Sequence, residues 1–258
     1  MQAALTAKLA GTLEVVVAAY IRTGRPVGSS RIAANTAIGL GAASIRNLMA
    51  RLESLGYLAK PHASAGRVPT EKGYRFYVDR FVGSSHLRES DARVIRDELD
   101  PTLSAEVVLE RVSQRLESLS HQLSVTVSPR PWGPYEYSVH VFGSGNVVTK
   151  LGSVDEARSL LRMLENRREI AKILMQDRCG RGTTVSIGSE NRCRPMRRCS
   201  VVRSSYRMGD TGGAIGLIGP LRMEYPRLMA LVDYTSKELT RFLTRAGGKA
   251  HGGKERQR

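Results

Sequence analysis

ASIRNLMARLESLGYLAKPHASAGRVPTEKGYRFYVD, residues 43–79, decides the reading of the first third of the chain. Ile45, Leu48, Leu52 and Leu55 recur at three- and four-residue steps, so the segment opening at Ala43 reads as a helix with one apolar side. Ser44, Arg46, Asn47, Ala50 and Arg51 fall on the opposite side. Gly56 ends that helix, and Tyr57–Lys60 is a short β-prone run. The turn-rich PHASAGR leads to Arg67-Val68-Pro69, closing a hairpin. Thr70 then caps a further helix whose Tyr74, Tyr77, Val78 and Phe81 can pack back as core.

Upstream, Leu5, Leu9, Leu13, Val16 and Tyr20 mark a first helix that stops at Thr23-Gly24, with Pro26 blocking continuation. Ser29 or Ser30 caps a short second helix running to about Thr36, and Gly39 and Gly41 make the turn. Helix, helix, helix, hairpin, helix is the order of a winged helix-turn-helix, whose third helix offers its N-terminal polar residues to the major groove. Arg46 can donate two hydrogen bonds to guanine O6 and N7, and Asn47 can pair with adenine N6 and N7. Arg51, further along, suits phosphate. At the hairpin tip, His62, Ser64 and Arg67 are small or cationic donors suited to phosphate or minor groove. An Arg-Asn pair on an amphipathic helix also reads as a solvated face; the hairpin that follows favours DNA.

Composition agrees. Forty Lys and Arg stand against 24 Asp and Glu, a net charge of +16 that favours a polyanionic partner. Aromatic residues are only 5%, too few for the stacking surfaces of single-strand RNA binders. No run of eighteen apolar residues and no signal-peptide pattern occurs, so the expectation is a cytoplasmic protein without a membrane partner. Cys179, Cys193 and Cys199 form no C-x-x-C pair and read as ordinary thiols in a reducing compartment, not as a zinc site. His62, His86, His121, His140 and His251 are scattered, and no catalytic triad, H-E-x-x-H or Walker pattern is present, so no enzyme and no cofactor are expected.

Beyond residue 82 the pattern changes. Ser84–Ser90 reads as a hinge, and Asp100-Pro101 as a helix start. Leu103, Val107, Val112, Leu116, Leu119 and Leu123 form a stripe that packs on its own domain or serves a dimer interface. SPRPWGP, residues 128–134, is a breaker cluster. A strand is expected at 135–141, and a capping box at Ser153–Glu156 opens a helix to about Gln176. Strands at 183–187, 200–206 and 214–218 precede a last helix from near Pro226. The GLIGPLRM run lacks phosphate-loop spacing and reads as a strand-to-helix connection. The fold class is therefore α+β: a winged-helix DNA-binding domain over 1–82, a hinge over 83–100, a regulatory and dimerisation domain over 101–245, and a basic disordered tail over 246–258.

YIRTGRPVGSSRIA (residues 20–33), ASIRNLMARLESLGYL and PHASAGRVPTEKGYRFYVD resemble the N-terminal domain of the HrcA family, bacterial heat-inducible repressors of chaperone operons. IGSEN (187–191) and GAIGLIGPLRMEYPRLMALVDY (213–234) resemble that family's C-terminal half. The resemblance implies a homodimer binding inverted-repeat double-stranded DNA and released on heat stress. It also implies a GAF-like second half answering to the GroE chaperonin. It places Ser44, Arg46 and Asn47 on the recognition helix and His62, Ser64, Gly66 and Arg67 at the wing; Arg31 and Arg51 complete the set of expected DNA-binding residues. Gly41 and Ala42 stand where the family usually has two capping serines, and Leu48 where it usually has an acid. A lost cap hydroxyl costs on the order of 1 kcal/mol. The chain is also shorter than family members between Leu123 and Tyr135, so a reduced GAF-like domain is expected. Two other readings are a basic nucleic-acid-binding protein without specific operator readout and a small-molecule sensor using the second half.

Overall fold

A computed structural model describes residues 5–34, 39–81, 86–129, 137–149, 153–175, 182–209 and 211–252. The chain divides into two compact units. One comprises Met1–Phe81 with Leu221–Glu224, and the other Val82–Pro220 with Tyr225–Arg258.

In the first unit, α1 (Ala7–Thr23) ends where Gly24 takes the left-handed conformation at φ 66°. The Gly24 N–H there donates to the Tyr20 carbonyl at 2.8 Å. Leu13, Val16 and Val17 are fully buried along α1. The next helix, α2 (Ser29–Ala33), starts from Gly28 with no side-chain cap, so Ser29 and Ser30 lie inside it rather than capping it. Its expected end at Thr36 falls outside the described residues. α3 (Ala42–Ser54) is capped by Gly41, again without a side-chain hydrogen bond. Its buried side is Ile45, Met49 and Leu52, while Leu48 and Leu55 are half-buried. Met49 thus joins the buried side in place of Leu48, since at 3.6 residues per turn it stands about 40° from Ile45 and Leu48 about 60°. The hairpin is short: β1 (Leu58–Ala59) pairs antiparallel with β2 (Val68–Pro69), Leu58 opposite Pro69. Thr70 caps α4 (Glu71–Phe81), its Oγ1 accepting from the Gly73 N–H at 3.2 Å.

The second unit is built on a five-stranded antiparallel sheet ordered β4–β3–β7–β6–β5. These are β3 (Leu123–Pro129), β4 (Tyr137–Phe142), β5 (Thr184–Ile187), β6 (Cys199–Met208) and β7 (Thr211–Pro220). Alternation along the strands sends two sets of side chains to opposite faces. Leu123, Val125, Val127, Val201 and Ile218 form one apolar cluster with residues of α7 (Ser144–Val148), α8 (Val154–Glu165) and α9 (Arg167–Met175). The opposite face carries small hydroxyls that pair with α6 (Ala105–Ser120) and α10 (Tyr225–Gly252). Ser113 and Ser124 meet at 3.0 Å, Ser236 donates to Ser204 at 2.9 Å, and Ser200 meets the Tyr225 hydroxyl at 2.6 Å. Ser113, Ser124, Ser200, Ser204 and Ser236 are thereby partnered, as burial demands, while the Thr126 hydroxyl on β3 is buried with no partner among the described residues.

Several expectations change here. The span read as a hinge over 83–100 contains α5 (Glu89–Arg96), which buries Ala92 and Ile95. Asp100 does not open α6: its carboxylate accepts from the Thr102 N–H and hydroxyl at 2.8 and 2.7 Å, making a turn, and Ser104 is the cap. The stripe ending at Leu123 crosses from helix to strand, because His121 ends α6 in the left-handed conformation at φ 51°. Asn166 breaks the helix expected from Ser153 to Gln176, and its Oδ1 accepts from the Glu169 N–H at 3.3 Å to cap α9. Ser153 does cap α8, accepting from Glu156 N–H at 3.2 Å. Helix α10 runs to Gly252, through part of the span read as a disordered tail. Of the breaker cluster over 128–134, Ser128 and Pro129 belong to β3, while residues 130–134, Cys179 and residues 253–258 lie outside the described residues.

Candidate nucleic-acid interface

On α3 the geometry separates two jobs. Ile45, Met49 and Leu52 fill the core. Ser44, Arg46, Asn47, Ala50 and Arg51 are all exposed and occupy the arc opposite. None of Ser44, Arg46 and Asn47 makes a side-chain hydrogen bond or ion pair with another described residue, so their donors face solvent. Arg31, on α2, is exposed while its neighbour Ile32 is buried at 1%.

Around this arc the charge is one-sided. Residues 1–81 hold eleven Lys and Arg against four acids. Three of those acids are engaged by arginines: Glu14 with Arg80 at 2.6 Å, Glu53 with Arg67 at 2.8 Å, and Asp79 with Arg75 at 3.2 Å. Arg31, Arg46 and Arg51 are left with no acidic neighbour among the described residues. Such a surface favours polyanions.

The hairpin places its residues in two groups. His62 and Ser64 are exposed at the tip, where the Ala65 N–H donates to the His62 carbonyl at 2.9 Å to close a turn. Gly66 and Arg67 sit at the base. Arg67 exchanges both backbone hydrogen bonds with Val27, at 2.8 and 2.9 Å. Its Nε and Nη2 each lie 2.8 Å from Glu53 Oε2. A Cβ on Gly66 would stand 2.5 Å from the Val27 carbonyl carbon and oxygen, so only glycine fits. Lys60, exposed at the end of β1, adds a cation beside the tip that the motif reading passed over.

The PTEKGYR run serves architecture. Thr70 Oγ1 donates to the Gly56 carbonyl at 2.6 Å, and Lys72 Nζ donates to the Leu55 carbonyl at 2.9 Å. Lys72 also lies 4.3 Å from the Tyr57 ring centre. A Cβ on Gly73 would meet the Tyr57 oxygen at 2.3 Å. The first turn of α4 therefore closes off the C-terminal carbonyls of α3, fixing α3 against the hairpin.

With the fold in view, the chain can be set beside known proteins. The model of the HrcA protein C terminal domain matches residues 86–229. The chain belongs to the HrcA family. Its relatives include the heat-inducible transcription repressor HrcA of Desulfitobacterium hafniense, 27% identical with 90% of this chain and 96% of that one covered. The protein of the same name from Syntrophobacter fumaroxidans is also 27% identical, over 91% and 96% of the two chains. The Desulfitobacterium alignment spans 332 positions, more than the 258 residues here, so that HrcA protein carries internal residues this one lacks. The HrcA family model leaves residues 1–85 unmatched, but the relatives' coverage of 90% of the chain extends into them. A crystal structure of a hypothetical protein shares the fold, with a TM-score of 0.72 at 19% identity over 94% of this chain and all of the other. The sheet flanked by helices fits the GAF-like α+β half expected of HrcA proteins. Among the described residues no helix is long and apolar enough to cross a membrane.

Proposed function

We propose that this chain is a heat-inducible transcription repressor that binds an inverted-repeat operator as a homodimer, through a winged helix formed by its first unit. The observation that carries the reading is the arc on α3: Ser44, Arg46 and Asn47 exposed and, among the described residues, without a side-chain partner, backed by a buried side that fixes the helix. Arg46 reads guanine and Asn47 adenine in the major groove. Arg31, Arg51 and the tip residues His62 and Ser64 contact phosphate or the minor groove. Two copies related by a two-fold axis match the symmetry of an inverted repeat. The second unit supplies dimerisation and response to the GroE chaperonin, and heat releases the DNA. The role calls for no catalytic chemistry.

The test is fluorescence anisotropy with a labelled inverted-repeat duplex, a half-site and a scrambled duplex at about 0.15 M salt. Preference for the full repeat, lost in Arg46→Ala, supports specific dimeric readout. Equal binding to all three duplexes overturns it and leaves a basic protein without operator recognition.

A further inference from the structure

From Asn191 to Gly209 the chain carries six arginines, no lysine and no acidic residue. Its first part is an ordered loop in the second unit. Buried Asn191 holds the loop from within: its Nδ2 lies 3.0, 3.0 and 2.9 Å from the carbonyl oxygens of Gly188, Met196 and Cys199. Met196 and Cys199 are fully buried. With those three residues facing inward, Arg192, Arg194, Arg197 and Arg198 are turned outward, and all four are exposed. Arg194, Arg197 and Arg198 border a groove of 610 Å³ whose other wall is the first turn of α8.

Two carboxylates line that groove as well, and they are already engaged. Glu156 pairs with Arg198 at 3.2 Å, and Asp155 with Arg158 at 3.3 Å. Arg192, Arg194 and Arg197 have no acidic partner among the described residues. The fold needs the buried spine of this loop, but it makes no ion pair with the guanidinium groups of Arg192, Arg194 and Arg197 among the described residues. Like charges held close in a rigid loop repel, and an anion bound across them relieves that repulsion. The use of arginine throughout favours a ligand with paired oxygens, because the planar guanidinium donates two parallel hydrogen bonds to phosphate.

We infer that the Arg192–Arg198 loop is a second, sequence-independent contact for the DNA backbone, separate from the α3 arc. It binds phosphates and reads no bases. The inference does not depend on operator recognition by the first unit, and the experiment keeps the two apart.

The full-length chain is titrated with a labelled scrambled duplex at several salt concentrations, in an Arg46→Ala, Asn47→Ala background, so that base readout by α3 is absent. The loop variant carries Arg192→Gln, Arg194→Gln and Arg197→Gln. A control of equal net charge carries Arg88→Gln, Arg93→Gln and Arg111→Gln, which are exposed elsewhere in the second unit. Each lost phosphate contact lowers the slope of log affinity against log salt by about 0.9. The expected result is a slope lower by about 2 to 3 in the loop variant and changed by less than about 1 in the control. With Arg46 and Asn47 both restored, the loop variant should weaken binding to operator and scrambled duplexes by the same factor. Equal slopes in loop variant and control overturn the inference. So does a loop variant that keeps its DNA affinity but loses binding to polyglutamate, which would mark the loop as a dock for an acidic protein. Unchanged thermal melting of the variants shows that the loop still folds.

Discussion

Arg67, at the base of the hairpin, places Nε and Nη2 each 2.8 Å from the same carboxylate oxygen of Glu53, in the last turn of α3. The pair is mostly shielded, with side-chain exposures of 18% and 34%. It ties the hairpin to the helix proposed to read DNA. Arg67→Ala should therefore destabilise the first unit by about 1 kcal/mol, and Glu53→Gln by a similar amount. In a unit of this size that lowers Tm by roughly 4–8 °C. A double-mutant cycle checks the assignment: if the pair acts as one contact, the second substitution adds little to the first. Additive losses would show that Arg67 acts separately, as a phosphate ligand on its own would.

Gly66 is a site of close backbone approach. Gly66→Ala should cost about 1–3 kcal/mol, because the new methyl would displace the Val27 backbone and its exchange with Arg67. Gly28→Ala, where a Cβ meets nothing within 4 Å, is the matched control and should change stability far less. Urea denaturation of both variants measures the difference.

Arg46→Ala and Asn47→Ala should leave Tm unchanged, since neither side chain packs or bonds within the described residues. Each should reduce operator affinity by about 1–3 kcal/mol and relax specificity at one base pair. Binding to a panel of single-base operator variants reads this out. A drop in Tm that accompanies the loss would point to a structural role.

Asn191→Ala removes the donor shared by three buried carbonyl oxygens and should destabilise the second unit by about 2–3 kcal/mol. The Cys199 thiol provides a second readout. Burial first, and then Glu156, pushes its pKa up to about 12, so it should resist alkylation in the native protein. In Asn191→Ala it should become reactive as the loop opens, which mass spectrometry after iodoacetamide treatment would detect.

His140 lies on β4 with Nε2 buried and unpartnered among the described residues. Burial holds its pKa below the ordinary 6.5, against the opposing pull of Glu110 and Glu106 on α6, while Arg167 on α9 adds to the depression. The unfolded chain therefore takes up the proton first. Stability of the second unit should be full above about pH 6.5 and fall as the pH drops below that value, levelling off once the folded form is also protonated. His140→Gln should flatten this part of the stability-against-pH curve. An unchanged acid slope in that variant would assign the effect to other groups.

The helices and hairpin of the first unit were legible in the sequence by itself because each carries a local signal, although α2 starts from Gly28 and not from a serine cap. Gly24 stops α1, Thr70 caps α4, and the apolar steps on α3 leave Arg46 and Asn47 outside. Local signals also marked four of the five strands in the second unit. Strand β3 was hidden: Leu123 continues the four-residue stripe of α6, and the break comes at His121, which is neither glycine nor proline. Ser124, Thr126 and Ser128 alternate with Leu123, Val125 and Val127, yet all three are buried as well. For Ser124 the reason is tertiary: its hydroxyl can be buried because Ser113, distant in sequence on α6, satisfies it. The same reason governs the hairpin base. Nothing local separates Arg67 from Arg46 as a cation, and the difference arises because the fold brings Glu53 and Val27 to one of them and leaves the other in solvent.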